Sequence, residues 1–205
     1  IPADLPSPRE FFQFRFFFQG DAETTIRIDT LSLEISPALV SSAVGEVALA
    51  TDLSPESGVI AVVGGVDTSF FYDIRADFAD AGLAGFRGIK VAAFPPPVFT
   101  GLQMGDPLVD VADVIVEEAA DGFEVFFDHV DEANNEPLRI AFNLRLLEHN
   151  TPVNAWLLGK GDVPPHPISI GDARDEVSTG TINIFTFDSR PTIDAQVSTP
   201  VITPN

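Results

Sequence analysis

The sequence feature that most constrains the fold is a run of phenylalanines near the start of the chain, at residues 10–20. Read at a period of two residues, one face of this run carries only phenylalanine and the other is mixed. The apolar face consists of Phe12, Phe14, Phe16 and Phe18. Burying one Phe contributes about 1.5–3 kcal/mol, so this face represents roughly 6–12 kcal/mol. The run therefore predicts a β-strand whose apolar face packs in the chain's own core or in a neighbouring subunit.

The rest of the sequence is also typical of short β-strands. Apolar alternation or short apolar runs predict strands at 26–28, 31–35, 47–51, 59–63, 68–78, 89–94, 108–118, 123–127, 138–146, 156–158 and 182–187. Alternation is strictest at 138–146, where every second residue is Leu, Ile or Phe. Residues 111–127 form the best predicted hairpin, because a turn sequence at 119–122 separates a β-branched, Val-rich run from an alternating one.

These segments amount to about ten to twelve short strands separated by turn signals. A short helical turn is expected at 36–44, since Ser36 suits an N-cap and Pro37 suits the first helical position. We expect an all-β fold with little helix: an antiparallel two-sheet β-sandwich of jelly-roll or Greek-key type. In this interpretation a single domain spans 1–205, and 1–20 is an extended N-terminal segment that can exchange between subunits.

The composition is sufficient for a full hydrophobic core, and it excludes some classes of binding partner. Of the 205 residues, 45% are hydrophobic and none is cysteine, so disulfides and Cys-based metal sites are excluded. The chain has 11 Lys and Arg against 31 Asp and Glu, which gives a net charge of −20. Such an acidic surface repels nucleic acid and anionic lipid. No run of about 18 apolar residues is present, so we expect no membrane insertion.

The acidity has two explanations, solubility in a salty or acidic medium and binding of a divalent cation. Oxygen ligands favour Ca²⁺, and one predicted loop, 128–136, holds several of them at short spacing. The candidate calcium ligands are Asp128, Asp131, Glu132, Asn134 and Glu136. Smaller acidic groups occur at 106–113 and 172–176, and none of the three has the glycine that an EF-hand requires at its sixth position. Calcium is therefore a possible ligand of the chain and not a required cofactor.

No reaction is indicated by the sequence. His129, His149 and His166 lie outside any zinc-binding or nucleophile motif, and no phosphate-binding loop is present. Trp156 and Tyr72 are the only residues of their kinds against 18 Phe, which disfavours a carbohydrate-binding face and places Trp156 in the core. We therefore expect a protein that is not an enzyme.

Two functions remain after these exclusions. The first is a structural subunit of an extracellular or cell-surface filament, a homopolymer formed when the Phe-rich strand of one subunit completes a sheet of the next. Phe12, Phe14, Phe16 and Phe18 would then form the subunit interface. The second is a jelly-roll binding module or a processed viral capsid protein that uses its loops for a ligand or cation. Since Ile1 stands where an initiator Met would be, we expect a mature chain from which a leader was removed.

Overall fold

A computed structural model of the chain describes residues 15, 17, 29–30, 36–54, 59–161, 163–174, 181 and 183–187. Within these ranges the regular structure consists of 14 β-strands and no helix. In chain order the strands are β1 Ser42–Leu49, β2 Ile60–Val63, β3 Asp67–Asp77, β4 Phe86–Ala92, β5 Val98–Met104, β6 Val109–Asp110, β7 Ile115–Ala119, β8 Gly122–Val130, β9 Leu138–Arg145, β10 Asn150–Pro152, β11 Asn154–Leu158, β12 His166–Pro167, β13 Ser169–Ile170 and β14 Asn183–Phe187. The predicted all-β class is confirmed.

The strands form three sheets where two were predicted. The six-stranded sheet has the order β13-β1-β3-β9-β5-β6, and the five-stranded sheet has the order β12-β11-β4-β8-β7. A three-stranded sheet, β10-β14-β2, completes the described part of the fold. Pairing is antiparallel except between β1 and β13 and between β2 and β14. The jelly-roll or Greek-key type stays a prediction.

The core lies where the two larger sheets contribute their apolar faces to one cluster. Along β3, Phe70, Tyr72 and Ile74 are buried, and alternate residues of β9, β4 and β8 are buried in the same way. The two sheets meet directly at Phe99 and Phe123, whose ring centroids are 5.4 Å apart in an edge-on arrangement. Period-two alternation thus fixes which face of each sheet points inward.

The sequence located most of these strands. The predictions for β2, β3, β9 and β14 are confirmed, and so is the hairpin, which is formed by β7 and β8 with Ala119 opposite Gly122. Gly122 is needed there because a Cβ at this position would collide with the carbonyl oxygen of Val91 on β4. Strand β5 was not predicted.

The helical turn predicted at 36–44 is wrong. Residues 36–41 contain no helix, and β1 begins at Ser42. All eight residues of β1 pair with β3, from Ser42 opposite Asp77 to Leu49 opposite Phe70. Tertiary pairing therefore outweighs the local capping signal of Ser36 and Pro37. In the described ranges, the structure contains no helix that is long and apolar enough to cross a membrane.

The central position of β9 leads to a test of the core. Phe142 is fully buried and stacks on Phe70 with ring centroids 5.6 Å apart. We expect Phe142→Ala to lower the free energy of unfolding by about 3–5 kcal/mol, because it removes apolar contacts and leaves a cavity. Urea denaturation measures this loss. Leu147→Ala is the control: Leu147 is exposed, so its truncation should change stability by no more than about 0.5 kcal/mol. Equal losses for the two variants would contradict the core assignment.

Candidate functional site

One side of the molecule presents open edges of both larger sheets. In the five-stranded sheet, β7 is an edge strand whose one partner among the described residues is β8. In the six-stranded sheet, the edge strand β6 is two residues long and covers only Gln103 and Met104 of β5. Residues 98–101 of β5 therefore have strand partners on the β9 side alone within the described part of the chain. The contact between Phe99 of β5 and Phe123 of β8 brings these two strands close together.

Several exposed apolar side chains lie on these segments or next to them in the chain. Between residues 94 and 116 five large hydrophobic residues are exposed: Phe94, Val98, Val109, Ile115 and Val116. Single exposed hydrophobic residues are normal, but several beside free backbone edges are typical of surfaces that pair with another chain. We call β7 together with the open part of β5 the open side.

β7 itself carries a mixed surface. Ile115 and Val116 are followed by two acidic residues, Glu117 and Glu118, and all four are exposed. Glu117 lies directly opposite Glu124 of β8. Like charges at directly opposed positions destabilise a strand pair. A cation that lies opposite Glu117, on the side of β7 that faces away from β8, would therefore be attracted by both carboxylates.

The outer face of the five-stranded sheet continues this charged row. Lys90 of β4 lies opposite Glu124, and Trp156 of β11 lies opposite Lys90. The Nζ of Lys90 is 3.1 Å from a carboxylate oxygen of Asp121 in the β7–β8 turn. Trp156 is only half-buried, whereas we expected it in the core; its neighbour Leu157 is the residue that is fully buried.

The outer face of the six-stranded sheet holds a network of buried charges. Glu46, Asp73 and Arg139 lie directly opposite one another on β1, β3 and β9. The Nε of Arg139 donates to Oδ1 of Asp73 over 2.6 Å, and the guanidinium lies 4.8 Å from the ring centre of Phe71. This arrangement neutralises one of two adjacent carboxylates that lie almost entirely out of water.

Arg174 joins the network from a distant part of the chain. Its Nη2 donates to Oε2 of Glu46 over 2.8 Å, and its Nη1 donates to Oδ2 of Asp73 over 3.2 Å. The backbone N–H groups of Ala173 and Arg174 both donate to Oε1 of Glu46. These hydrogen bonds therefore hold the segment that follows β13 against the outer face of β1. Gly171 allows this close passage, since a Cβ there would lie 2.9 Å from Val44.

Burial sets the protonation of this region. Burial raises the pKa of Asp73 above its ordinary value, and contacts with Arg139 and Arg174 lower it in part. Burial also raises the pKa of Tyr72, whose hydroxyl has no hydrogen-bond partner among the described residues. The network is well suited to hold chain segments together, and none of its carboxylates is open to a substrate.

The predicted calcium ligands lie along one loop and its borders. The side chains of Asp131 and Asn134 serve the turn itself: Oδ1 of Asp131 accepts from the N–H of Ala133, and Oδ1 of Asn134 accepts from the N–H of Asp131. Asp128 belongs to β8. Glu136 lies near Gly105, which belongs to a different loop. Asp131 and Glu132 also line an open depression of about 550 Å³, which Asp80 and Leu83 border from the other side.

This loop is not an assembled metal centre. Within the ranges that the structure describes, no three His, Asp or Glu side chains are grouped so that they could hold a metal ion. Calcium binding by Asp128, Asp131, Glu132, Asn134 and Glu136 therefore stays a prediction.

The predicted interface residues Phe12, Phe14, Phe16 and Phe18 lie outside the described residues. Two residues of the same run are described. Arg15 is exposed, and Phe17 is 84% exposed, with the guanidinium carbon of Arg15 5.9 Å from its ring centre. The mixed face of the run is therefore exposed to solvent at these two positions.

The three histidines lie in different elements. His129 is on β8 beside Gly85, His149 packs on Phe185 with ring centres 6.0 Å apart, and His166 is on β12. Burial lowers the pKa of His166 below its ordinary value. The three histidines therefore contact residues of separate elements. That the protein is not an enzyme stays a prediction.

Comparisons with known proteins leave the family open. No protein-family model and no curated protein matches the sequence. Among solved structures, the full-length major pilin RrgB of Streptococcus pneumoniae aligns at TM-score 0.36 and 12% identity over 57% of this chain. A structure of the RrgB pilus backbone aligns at TM-score 0.36 and 11% identity, also over 57% of this chain. This chain covers 23% and 31% of those two pilin chains.

A third solved structure has a different biological context. The cohesin module of a family 33 glycoside hydrolase from Clostridium perfringens aligns at TM-score 0.35 and 8% identity, over 71% of this chain and 96% of the module. Similarities at this level establish neither a shared fold type nor a shared function. The functional inferences below are therefore drawn from the chain's own residues.

The Arg174 network gives a direct test of what the buried charges do. Arg174→Met leaves Glu46 and Asp73 buried with one cation fewer, so we expect the free energy of unfolding to fall by about 3–5 kcal/mol at pH 7. Arg87→Met removes the same charge at an exposed position and should change stability by about 0.5 kcal/mol or less. Denaturant titration of both variants measures the difference.

The pH dependence of that loss has a definite sign. Arg174 is one of the contacts that lower the pKa of Asp73, so without it the pKa of this carboxyl group in the folded state rises further above its ordinary value. The folded state then binds more protons than the unfolded state, so its stability increases as the pH falls. The deficit of Arg174→Met should therefore shrink between pH 7 and pH 4. A deficit that is constant over this range would show that lost packing, and not charge, is responsible.

Calcium binding is tested by thermal unfolding. For a weak site with a Kd of about 1 mM, 10 mM Ca²⁺ stabilises the folded state by about 1.4 kcal/mol, or about 3–5 °C in a chain of this size. The double variant Asp131→Asn/Glu132→Gln should lose this shift. The variant Glu117→Gln/Glu118→Gln loses two charges as well and should keep it. Identical melting temperatures in chelator and in Ca²⁺ for the unmodified chain would rule the site out.

Proposed function

We propose that this chain is a non-enzymatic structural subunit of an extracellular or cell-surface filament. Each subunit donates its N-terminal Phe-rich strand to a sheet of the next subunit. The observation that carries this proposal is the alternation at residues 12–18, which presents four phenylalanines on one face of a segment that precedes the described strands. The open side of the domain supports it, because strand addition requires a free sheet edge.

Strand addition supplies both affinity and specificity. Main-chain hydrogen bonds hold the added strand whatever its sequence, and its alternate side chains choose where it fits. Four buried phenylalanines represent roughly 6–12 kcal/mol of transfer free energy, part of which is spent on ordering the segment. The proposed contact is heterologous, with a strand on one copy and a sheet edge on the other. Heterologous contacts that do not close into a ring give open filaments.

Because the chain is strongly acidic, two copies can assemble only if a strong short-range contact overcomes their repulsion. With a net charge of −20, two copies repel each other at long range, and this repulsion weakens as salt is added. We therefore propose that assembly is faster at moderate ionic strength than at low ionic strength. An acidic surface also suits a salty environment outside the cell, where the proposed filament would lie.

The architecture proposed for the subunit is a β-sandwich of jelly-roll type made by the two larger sheets. Their shared cluster and the contact between Phe99 and Phe123 support a face-to-face arrangement. In such a sandwich the free edges of β5 and β7 border the same gap between the sheets.

A second candidate is a jelly-roll binding module, or a processed viral capsid protein, that uses its loops. The observation in its favour is the open depression lined by Asp80, Asp131 and Glu132 beside Leu83. Its acidic and apolar lining would suit a cationic ligand or a divalent ion. This candidate does not require the Phe-rich strand to leave its own subunit.

Size-exclusion chromatography and electron microscopy of the full chain separate the two candidates. If strands are donated, the chain forms filaments or a ladder of oligomers, and replacing Phe12, Phe14, Phe16 and Phe18 by Ser leaves a folded monomer. The double variant Gln13→Ser/Gln19→Ser changes the opposite face of the run and should still assemble. A full chain that remains monomeric at all salt concentrations would overturn the proposal. So would unfolding of the Phe-to-Ser variant, because the strand would then belong to its own core.

A further inference from the structure

We propose that the free edge of β7 is the acceptor, and that it pairs antiparallel with residues 13–17 of a second copy so that Arg15 lies opposite Glu117. This inference rests on the proposed function and adds to it the receiving strand, the direction and the register. It follows from the length of the edge, the faces of β7 and the charges on it.

β7 is the longest single-sided edge strand in the two larger described sheets. The other edge strands of those sheets, β6, β12 and β13, have two residues each, whereas β7 has five. Five residues span about 17 Å, enough for two pairs of ladder hydrogen bonds. β7 contains no Pro or Lys, the residues that commonly protect an edge from pairing.

The register between β7 and β8 assigns each β7 side chain to a face. Val116 lies opposite Val125 and Glu118 opposite Phe123, and both β8 residues are buried in the core. Val116 and Glu118 therefore point to the side of the sheet that faces the core. Ile115 and Glu117 point to the outer side.

Both directions place the all-Phe face on the core side and set one Phe opposite Glu118, but only the antiparallel direction pairs the exposed apolar residues of the two strands. With Arg15 opposite Glu117 in an antiparallel pair, Phe17 lies opposite Ile115 and Phe16 opposite Val116. The all-Phe face then extends the core side of the sheet, while Arg15 and Phe17 extend its outer side. In a parallel pair centred on the same two charges, Ile115 would lie beside Gln13 and Phe17 beside Ala119. The antiparallel arrangement joins two exposed apolar residues, since Phe17 is 84% and Ile115 60% exposed.

Charge selects the same register. Across the outer face of the sheet, Lys90, Glu124 and Glu117 follow one another on β4, β8 and β7, which leaves two glutamates side by side. An arginine opposite Glu117 would place a cation at both ends of this row. Arg15 is the only cationic residue within 10–20, and its side chain is exposed. In a chain with 11 Lys and Arg against 31 Asp and Glu, this complementarity is specific.

The alternation of hydrogen bonds makes the contact suitable for cross-linking. The two-residue turn of the hairpin closes on the pair Ala119–Gly122. Counting from this turn, Ile115, Glu117 and Ala119 direct their N–H and C=O groups toward β8. Toward a donor strand the same residues form non-hydrogen-bonded pairs, with Cα atoms about 4.5 Å apart. That separation lies within the range that a disulfide spans.

Disulfide cross-linking between two single-cysteine variants tests the register, and the natural absence of cysteine keeps it free of background. Phe17→Cys mixed with Ile115→Cys should give a covalent dimer on a non-reducing gel. Phe17→Cys mixed with Ile170→Cys is the matched control, because Ile170 is also exposed but lies on β13 at the far edge of the six-stranded sheet. We expect at least a tenfold excess of product in the first mixture. Equal yields would overturn the assignment to β7.

Charge reversal tests the pair Arg15–Glu117 independently. Glu117→Arg and Arg15→Glu should each weaken assembly about threefold to tenfold, and a chain with both reversals should regain it. Glu117→Arg removes the repulsion with Glu124, so its monomer should be no less stable than the unmodified chain. If the unmodified chain assembles but neither reversal matters, the acceptor lies elsewhere and the proposed function survives. If the unmodified chain does not assemble, both proposals fail.

Discussion

The apolar cluster shared by the two larger sheets is the constraint on which the rest of the structure depends. Each strand that enters it gives up one of its two faces, and period-two alternation then decides what the other face presents. Tyr72 points into the core, so Asp73 must point out, and the same relation holds along β1 and β9. The outward positions of the charged residues on these strands follow from this single requirement.

The outer faces of the two larger sheets accommodate their charged residues differently. On the six-stranded sheet, carboxylates that would be costly to bury alone are neutralised by Arg139 and Arg174, and the segment after β13 is held over them. On the five-stranded sheet, the row of Lys90, Glu124 and Glu117 stays at the surface with its last charge unbalanced. On the first face the segment 173–174 covers the buried charges of β1 and β3, whereas the charged row of the second face ends at β7, whose outer edge has no partner strand among the described residues. This difference favours the five-stranded sheet as the place for a partner strand.

Sequence alone identified the strands whose own side chains alternate. β3 and β9 are the clearest examples, since their buried residues recur at every second position. It did not identify β5, where a register shift at Phe99–Gly101 interrupts the alternation. It also predicted a helical turn at 36–44, because capping signals are local whereas the pairing of β1 with β3 is not.

The candidate site was predictable only in part, for a similar reason. The Phe-rich run is visible in the sequence because its pattern is local. Arg174 meets Glu46 from 128 positions away, and nothing in either segment indicates the other. The free edge of β7 was equally hidden, because being an edge depends on the order of strands in the sheet and not on the residues of the strand.

The charges of β7 also bear on which contacts an assembly can use. If two copies paired through β7 alone, an antiparallel pair centred on Glu117 would set this residue against its own copy and each Val116 against Glu118. Like charges so placed are unfavourable, and the apolar residues would gain little. A strand that carries Arg15 among phenylalanines removes the like-charge pair, and it sets only one apolar residue, Phe14, against Glu118, while Phe16 and Phe17 meet Val116 and Ile115. Glu117 and Glu118 therefore disfavour the closed, symmetric contact and leave the heterologous one, which is the contact from which an open filament grows.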